Sequence, residues 1–152
     1  MPSEKDFYQV SLKVFLKNNR GEILILKCRQ DSIFVGFYDL PGGRIEVDEF
    51  FTPFNEIIKR EVVEEISDID FELSLKPLAL SRVEIQGKES PLGGPRHALF
   101  VFFEARYLGG DIKISEEHTD FQWIKLIKEN MEQYFAPAFL EGIKMYLEKY
   151  EQ

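Results

Sequence analysis

Three glutamates, Glu61, Glu64 and Glu65, stand at positions i, i+3 and i+4 of a helical segment that follows the glycine pair Gly42-Gly43. Like charges at that spacing oppose the helix by roughly 0.2–0.5 kcal/mol per pair. A plain solvated helix relieves such repulsion with interspersed lysines. Hard oxygen donors gathered on one rigid surface suit Mg²⁺ or Mn²⁺, which turns the repulsion into coordination. A solvated acidic face is the blander reading, and Pro41-Gly42-Gly43 just upstream, a bend of exposed backbone, tips the balance toward a metal site.

The elements that must position these acids follow from the apolar pattern. In Phe7–Lys17 the residues Val10, Leu12, Val14 and Leu16 share one strand face, with Ser11 and Lys13 on the other. Asn18-Asn19-Arg20-Gly21 turns the chain into a second strand, Glu22–Cys28, and the two should form a hairpin. A loop over Gln30–Gly36 and an extended piece, Phe37–Leu40, lead to the glycine bend. Thr52 is expected at the helix cap and Pro53 at the first helical position. From Phe54 to Ile66 a stripe of Ile58, Val62 and Ile66 should pack on a sheet, leaving the three acids at its rim and Arg60 four residues from Glu64.

Two long strands, Phe71–Ile85 and Arg96–Tyr107, are expected next, joined by a loop over Gly87–Pro95, with Pro77 a candidate interruption. After Gly109-Gly110 come a short strand, Phe121–Ile124, and a helix from about Ala138 to Tyr150 with Phe139, Ile143, Tyr146 and Tyr150 on one face. The fold class is α+β, a mixed sheet sandwiched between helices, in a single domain spanning 1–152.

Composition narrows the partners. A formal charge of −8 disfavours long-range attraction to nucleic-acid polymers or anionic membranes. The longest apolar run, Ala98–Phe103, is too short to span a bilayer, and no leader pattern opens the chain. Cys28 is the only cysteine and is expected in the core of a strand. A cytoplasmic protein is the default expectation, and a homodimer is allowed.

At this point the residues resemble a family. Gly43, five residues, Glu49, and later Arg60-Glu61-Val62-Val63-Glu64-Glu65 look like the Nudix box. Two departures stand out: ten residues rather than seven separate Glu49 from Arg60, and Ser67 takes the place of the final glycine, followed by Asp68 where an apolar residue is usual. Lys27 and Arg29 at a strand end, Tyr38-Asp39-Leu40-Pro41-Gly42-Gly43, and Glu116-Glu117-His118 before Phe121-Gln122-Trp123 extend the likeness over about residues 8–128.

The resemblance implies a Mg²⁺- or Mn²⁺-dependent hydrolase that cleaves the phosphoanhydride of a nucleoside diphosphate linked to another moiety: a nucleotide-sugar, an ADP-ribose-like compound or a (deoxy)nucleoside triphosphate. Carboxylates hold the metal, the metal neutralises phosphate oxygens, and bound water becomes acidic enough to attack. Carried over residue by residue, Glu61, Glu64 and Glu65 are metal ligands, with a Gly42 or Gly43 carbonyl nearby. Arg60 orients the box glutamates, and Glu49 braces the loop. Glu117 is the further ligand or general base, with Glu116 its competitor and Glu61 the rival base.

Arg29, Arg44, Tyr38, Arg82 and Arg96 are the candidate substrate contacts. Surface or strand-end charges are the plainer role for Arg29, Arg82 and Arg96, and pairing with Glu46 is the plainer one for Arg44. Phe34, Phe37 or Tyr38 is placed to stack a base. His97 and His118 form no metal pair by spacing, and His118 is expected to be exposed. The lengthened box motivates a rival of another class, a silent Nudix domain that binds nucleotides as a sensor. Diphosphate isomerase chemistry ranks last, because Cys28 lies far from the box.

Overall fold

A computed structural model describes residues 4–150. The strands are β1 (Tyr8–Lys17), β2 (Ile23–Cys28), β3 (Tyr38–Asp39), β4 (Gly42–Arg44), β5 (Asp70–Glu89), β6 (Pro95–Gly109) and β7 (His118–Ile124). The helices are α1 (Phe54–Ile66), α2 (Met131–Tyr134) and α3 (Pro137–Glu148). All seven strands join one sheet in the order β3-β2-β1-β6-β5, with β4 also on β1 and β7 on β2. Among the described residues only β1 and β6 run parallel, so the sheet is mixed.

Strand alternation splits the core into two layers. Leu12, Val14 and Leu16 of β1 and Phe103 of β6 meet Ile57, Ile58, Val62 and Ile66 of α1. Phe15, Phe100 and Phe102 turn to the other face and meet Phe135, Phe139, Ile143 and Tyr146. The sheet therefore lies between α1 and the α2–α3 pair, as its pattern predicts.

The hairpin of β1 and β2 is the part that matters for chemistry. The two strands pair only at their base, Lys17 against Ile23, and then part. Residues 38–44 fill the wedge: β3 pairs with β2 through Tyr38 and Asp39, β4 pairs with β1 through Gly42–Arg44, and the Pro41 carbonyl accepts from Val14 N–H at 2.8 Å. The glycine bend is thus a strand, anchored to the middle of the sheet.

Several element boundaries differ from those read in the sequence. Pro53 is the N-cap and Phe54 the first residue of α1, so Thr52 caps nothing; its N–H bonds the Glu49 carbonyl instead. Pro77 does not end β5. Register jumps from Ser74–Glu104 to Ala79–Phe102, a bulge that spares the proline a ladder bond. Pairing continues to Glu89–Pro95, which shrinks the expected loop to 90–94. His118 belongs to β7, extending the strand expected from Phe121.

Ser67 explains one of the two departures from the box. It caps α1 at φ 85° and ψ −179°, a region nearly reserved for glycine. Its hydroxyl offsets part of that strain by donating to the Asp111 carbonyl at 2.6 Å. Ser67→Ala keeps the strain and loses the bond, so Ser67→Gly should be the more stable variant by about 1–3 kcal/mol, measurable as an ordering of Tm values.

Candidate active site

The wedge between β1 and β2 opens into a cleft of about 720 Å³. Gly42, Gly43, Arg44 and Glu46 form one wall, Glu61, Glu64 and Glu65 of α1 another, and Glu117 and His118 stand across from them. Gln9, Ser11 and Lys13, alternate residues of β1, lie along the floor with Asp39. The polar face of β1 thus serves the cleft instead of bulk solvent. A second hollow of about 290 Å³ shares these floor residues and continues over Phe34, Phe100, Ile33, Val83 and Ile85, so one end is acidic and the other apolar.

Arg60 organises the acidic wall from behind. Its Nε and Nη2 donate to both oxygens of Glu49 at 2.8 and 2.6 Å, a bidentate pair. Its Nη1 lies 2.8 Å from Glu61 Oε1 and 3.2 Å from Glu64 Oε2. The hydrogen bonds it donates to Glu49 raise the guanidinium pKa despite partial burial, with the charges of Glu61 and Glu64 adding to the effect. The three-residue insertion does not disturb this. Val47–Glu49 forms a 3-10 turn closed by reciprocal Glu46–Glu49 bonds, and the surplus chain, Phe50 and Phe51, faces solvent.

The acids differ in environment. Glu65 is 4% exposed and accepts Gly42 N–H at 3.2 Å. Burial, with the charges of Asp39 and Glu117, pushes its carboxyl up to about 9, against the pull of Lys13. Burial also raises Glu61, aided by Glu64 and opposed by Arg60. Glu64 is exposed. As placed, no three His, Cys, Asp or Glu side chains among the described residues are grouped to hold one ion. Glu61 and Glu64 turn to Arg60, and Glu65 to the backbone.

Even so, the donor set suits a hard cation: Glu61, Glu64, Glu65 and Glu117 line one cleft, two of them in surroundings that penalise their charge. At Gly43 a Cβ would come within 2.0 Å of Glu61 Oε2, so only glycine lets that carboxylate approach the β4 backbone.

Beneath the acids lies a buried charged cluster that residue spacing alone does not reveal. Lys13 Nζ is 2.9 Å from Asp39 Oδ1 and 3.2 Å from Oδ2, and His118 Nε2 is 3.5 Å from Oδ2. Burial alone would depress the Lys13 ammonium, but the charges of Asp39 and Glu65 outweigh it and raise its pKa. Burial works against the Asp39 carboxylate too, and Lys13 and His118 hold it low. A lysine inside an otherwise apolar strand was the available signal. His118 is 8% exposed, which corrects the expectation of an exposed side chain: it opens β7 and packs against Asp39.

Of the expected substrate contacts, Arg44 lines both parts of the cleft and makes no ion pair with Glu46. Arg29 instead ties the end of β2 to the loop before β7, donating to the Glu116 carbonyl at 2.8 Å, and pairs with Asp31. Tyr38 accepts from Gln122 at 2.8 Å and packs edge-on against Tyr134, away from the cleft. Arg82 is exposed beside a separate small hollow with Tyr8 and His97, and Arg96 lies on β6 paired with Ile85. His97 bridges Asp6 and Glu84. Glu117 faces the cleft and Glu116 does not line it.

The NUDIX domain family model matches residues 7–139. The chain belongs to the Nudix hydrolase family. Among curated Nudix relatives, the nucleoside triphosphatase NudI of Escherichia coli O81 (strain ED1a) is 26% identical over 116 residues, covering 72% of this chain and 77% of NudI. The fold is shared with the MutT protein of Methanosarcina mazei Go1, at TM-score 0.75, 23% identity and coverage of 99% and 100% of the two chains. It is shared too with the E. coli ORF135 protein, at TM-score 0.72, 20% identity and coverage of 97% and 94%. The Nudix box accounts for Gly43 in one cleft wall, for Glu61, Glu64 and Glu65 in another, and for Arg60 and Glu49 behind those acids. No helix among the described residues is long and apolar enough to cross a membrane.

Proposed function

We propose that this Nudix protein is a Mg²⁺- or Mn²⁺-dependent hydrolase that cleaves a phosphoanhydride bond of a nucleoside triphosphate. The observation that carries the reading is the two-ended cleft, acidic over Glu61, Glu64 and Glu65 and apolar over Phe34 and Phe100. At about 290 Å³ the apolar end suits one ring system and is small for a second nucleotide. Likeness to a nucleoside triphosphatase over 72% of the chain supports the same substrate class.

Glu61, Glu64 and Glu65 would hold the cation, with a Gly42 or Gly43 carbonyl, leaving Glu117 across the cleft free to act as the base. A bound divalent ion supplies neutralisation of phosphate charge and an acidified water. Arg60 keeps Glu61 and Glu64 in place and is itself held by Glu49. Glu117 accepts the proton of the attacking water at its carboxylate, because Glu61 is already engaged by Arg60. Arg44, at the junction of the two ends, meets phosphate oxygens, and Phe34 stacks the base.

The test is a panel of nucleoside triphosphates, nucleotide-sugars, ADP-ribose and dinucleoside polyphosphates with Mg²⁺ or Mn²⁺, products resolved by chromatography. Triphosphates should be turned over with the highest kcat/KM. Calorimetric binding with no product from any compound would support the silent sensor instead. Within the hydrolase reading, Arg60→Lys should lower kcat roughly 10- to 100-fold. A point-charge ammonium cannot grip Glu49 with a fork and steady two further carboxylates. Steady-state kinetics at saturating manganese reads the fall.

A further inference from the structure

Six carboxylates line the main cleft, Asp39, Glu46, Glu61, Glu64, Glu65 and Glu117, against two cations, Lys13 and Arg44. A substrate bearing several phosphate charges must find compensation there. The acids on α1 are suited to cations, so the oxyanions nearer the apolar end depend on these two side chains and on Lys88, which lines that end but is exposed. Arg44 is exposed at the rim, where water and salt screen it. Lys13 is buried in the floor, where a charge acts in a lower dielectric.

Lys13 stands where the two ends meet. It lines both hollows, and its Nζ is 5.7 Å from the centre of the Phe100 ring, which belongs to the apolar end. An ammonium has three N–H donors. Asp39 takes at most two of them, at 2.9 and 3.2 Å. The Asp39 carboxylate, by contrast, is occupied by Lys13, Leu40 N–H and the nearby His118 ring, so it holds Lys13 instead of reading a ligand. A buried ion pair is a poor source of stability compared with apolar residues of the same volume, so packing alone does not account for this one.

We propose that Lys13, held by Asp39, is a substrate-binding residue whose remaining N–H donates to an oxyanion of the phosphate nearest the nucleoside, fixing which phosphate stands at the acidic end. This rests on the hydrolase reading and deepens it. The preferred substrate is a nucleoside polyphosphate with one phosphate over Lys13 and the scissile bond beyond it.

The test removes the pair together, as Lys13→Met with Asp39→Leu, so that no buried charge is orphaned. KM for the best triphosphate should rise roughly 10- to 100-fold, the effect of losing a hydrogen bond to a charged group. The fall in kcat should be smaller, and Mn²⁺ affinity in the absence of nucleotide should stay within threefold of wild type. A folded double variant with unchanged KM overturns the assignment while leaving wild-type turnover, and hence the hydrolase reading, intact.

Should the double variant not fold, the wild-type protein answers directly. The Lys13 Nζ signal, followed by NMR on ¹⁵N-lysine-labelled protein, should shift on saturation with an α,β-methylene nucleoside triphosphate and Mg²⁺. A signal unmoved at saturation overturns the proposal. This measurement needs no turnover, so it stands apart from the fate of the hydrolase reading.

Discussion

Glu65→Gln is expected to lower kcat/KM on the order of 10³-fold, about 4 kcal/mol of transition-state stabilisation, while leaving the metal-free protein at least as stable as wild type. Both halves follow from one environment. The carboxyl is nearly fully buried and its pKa is about 9, so at neutral pH without a cation it carries a proton. Glutamine matches that neutral form in size and still accepts Gly42 N–H through its carbonyl oxygen. What it cannot do is become an anion beside a divalent ion.

The pH dependence has a definite sign. The folded pKa lies above the unfolded value of about 4.3, so between the two the native state holds the extra proton. Stability from this group is complete below about pH 4.5 and falls as pH climbs toward 9, by up to about 1.4 kcal/mol per unit. Chelator-treated wild type should therefore lose more stability than Glu65→Gln between pH 5 and 9 in urea unfolding. Parallel slopes would mean that Glu65 is already ionised in the metal-free fold. Undiminished turnover would remove it from the mechanism.

The box, the helix it rides on and the two-layer core are local or periodic features, and sequence carries them. Ile58, Val62 and Ile66 repeat at helical spacing and all are buried against the sheet. Three-residue excess in the box looked damaging because spacing counts residues along the chain. Arg60 and Glu49 meet through space, and the surplus between them, Phe50 and Phe51, faces solvent outside their contact.

Long-range packing was the illegible part. Lys13 and Asp39 are 26 residues apart, and nothing in either neighbourhood says that β1 and β2 part to admit residues 38–44 between them. For the same reason the sequence places His118 at the surface, and it reads Arg29 as a strand-end charge without showing that its hydrogen bond goes to the carbonyl of Glu116, 87 residues on. Tyr38 misled through its nearness in sequence to the glycines. Its neighbour on β3, Asp39, takes the position facing the cleft, and the Tyr38 ring packs against Tyr134.

The glycine pair offers a way to separate fold from chemistry, because its two members are glycine for different reasons. Gly42 has φ 134°, and a Cβ there would sit 1.9 Å from the Leu12 carbonyl oxygen and 2.9 Å from Lys13 Cα. Both obstacles are β1 backbone, locked in register by the Lys13–Gly42 pairing, and cannot step aside. Gly42→Ala should cost about 3 kcal/mol or more, lowering Tm by roughly 6–12 °C for a chain of this size and taking activity with it. Gly43 has no such backbone demand. Its added Cβ meets the end of one side chain, Glu61 Oε2 at 2.0 Å and Cδ at 2.4 Å, which can rotate away.

Gly43→Ala should accordingly fold within about 1 kcal/mol of wild type, the range of a change that a side chain absorbs. It should lose on the order of 10²-fold in kcat/KM, comparable to displacing one preorganised catalytic group, because the carboxylate leaves its place beside Arg60. Thermal melts and kinetics on the two variants read the contrast. A well-folded Gly43→Ala enzyme with full turnover would show that Glu61 does its work from some other position, or does none.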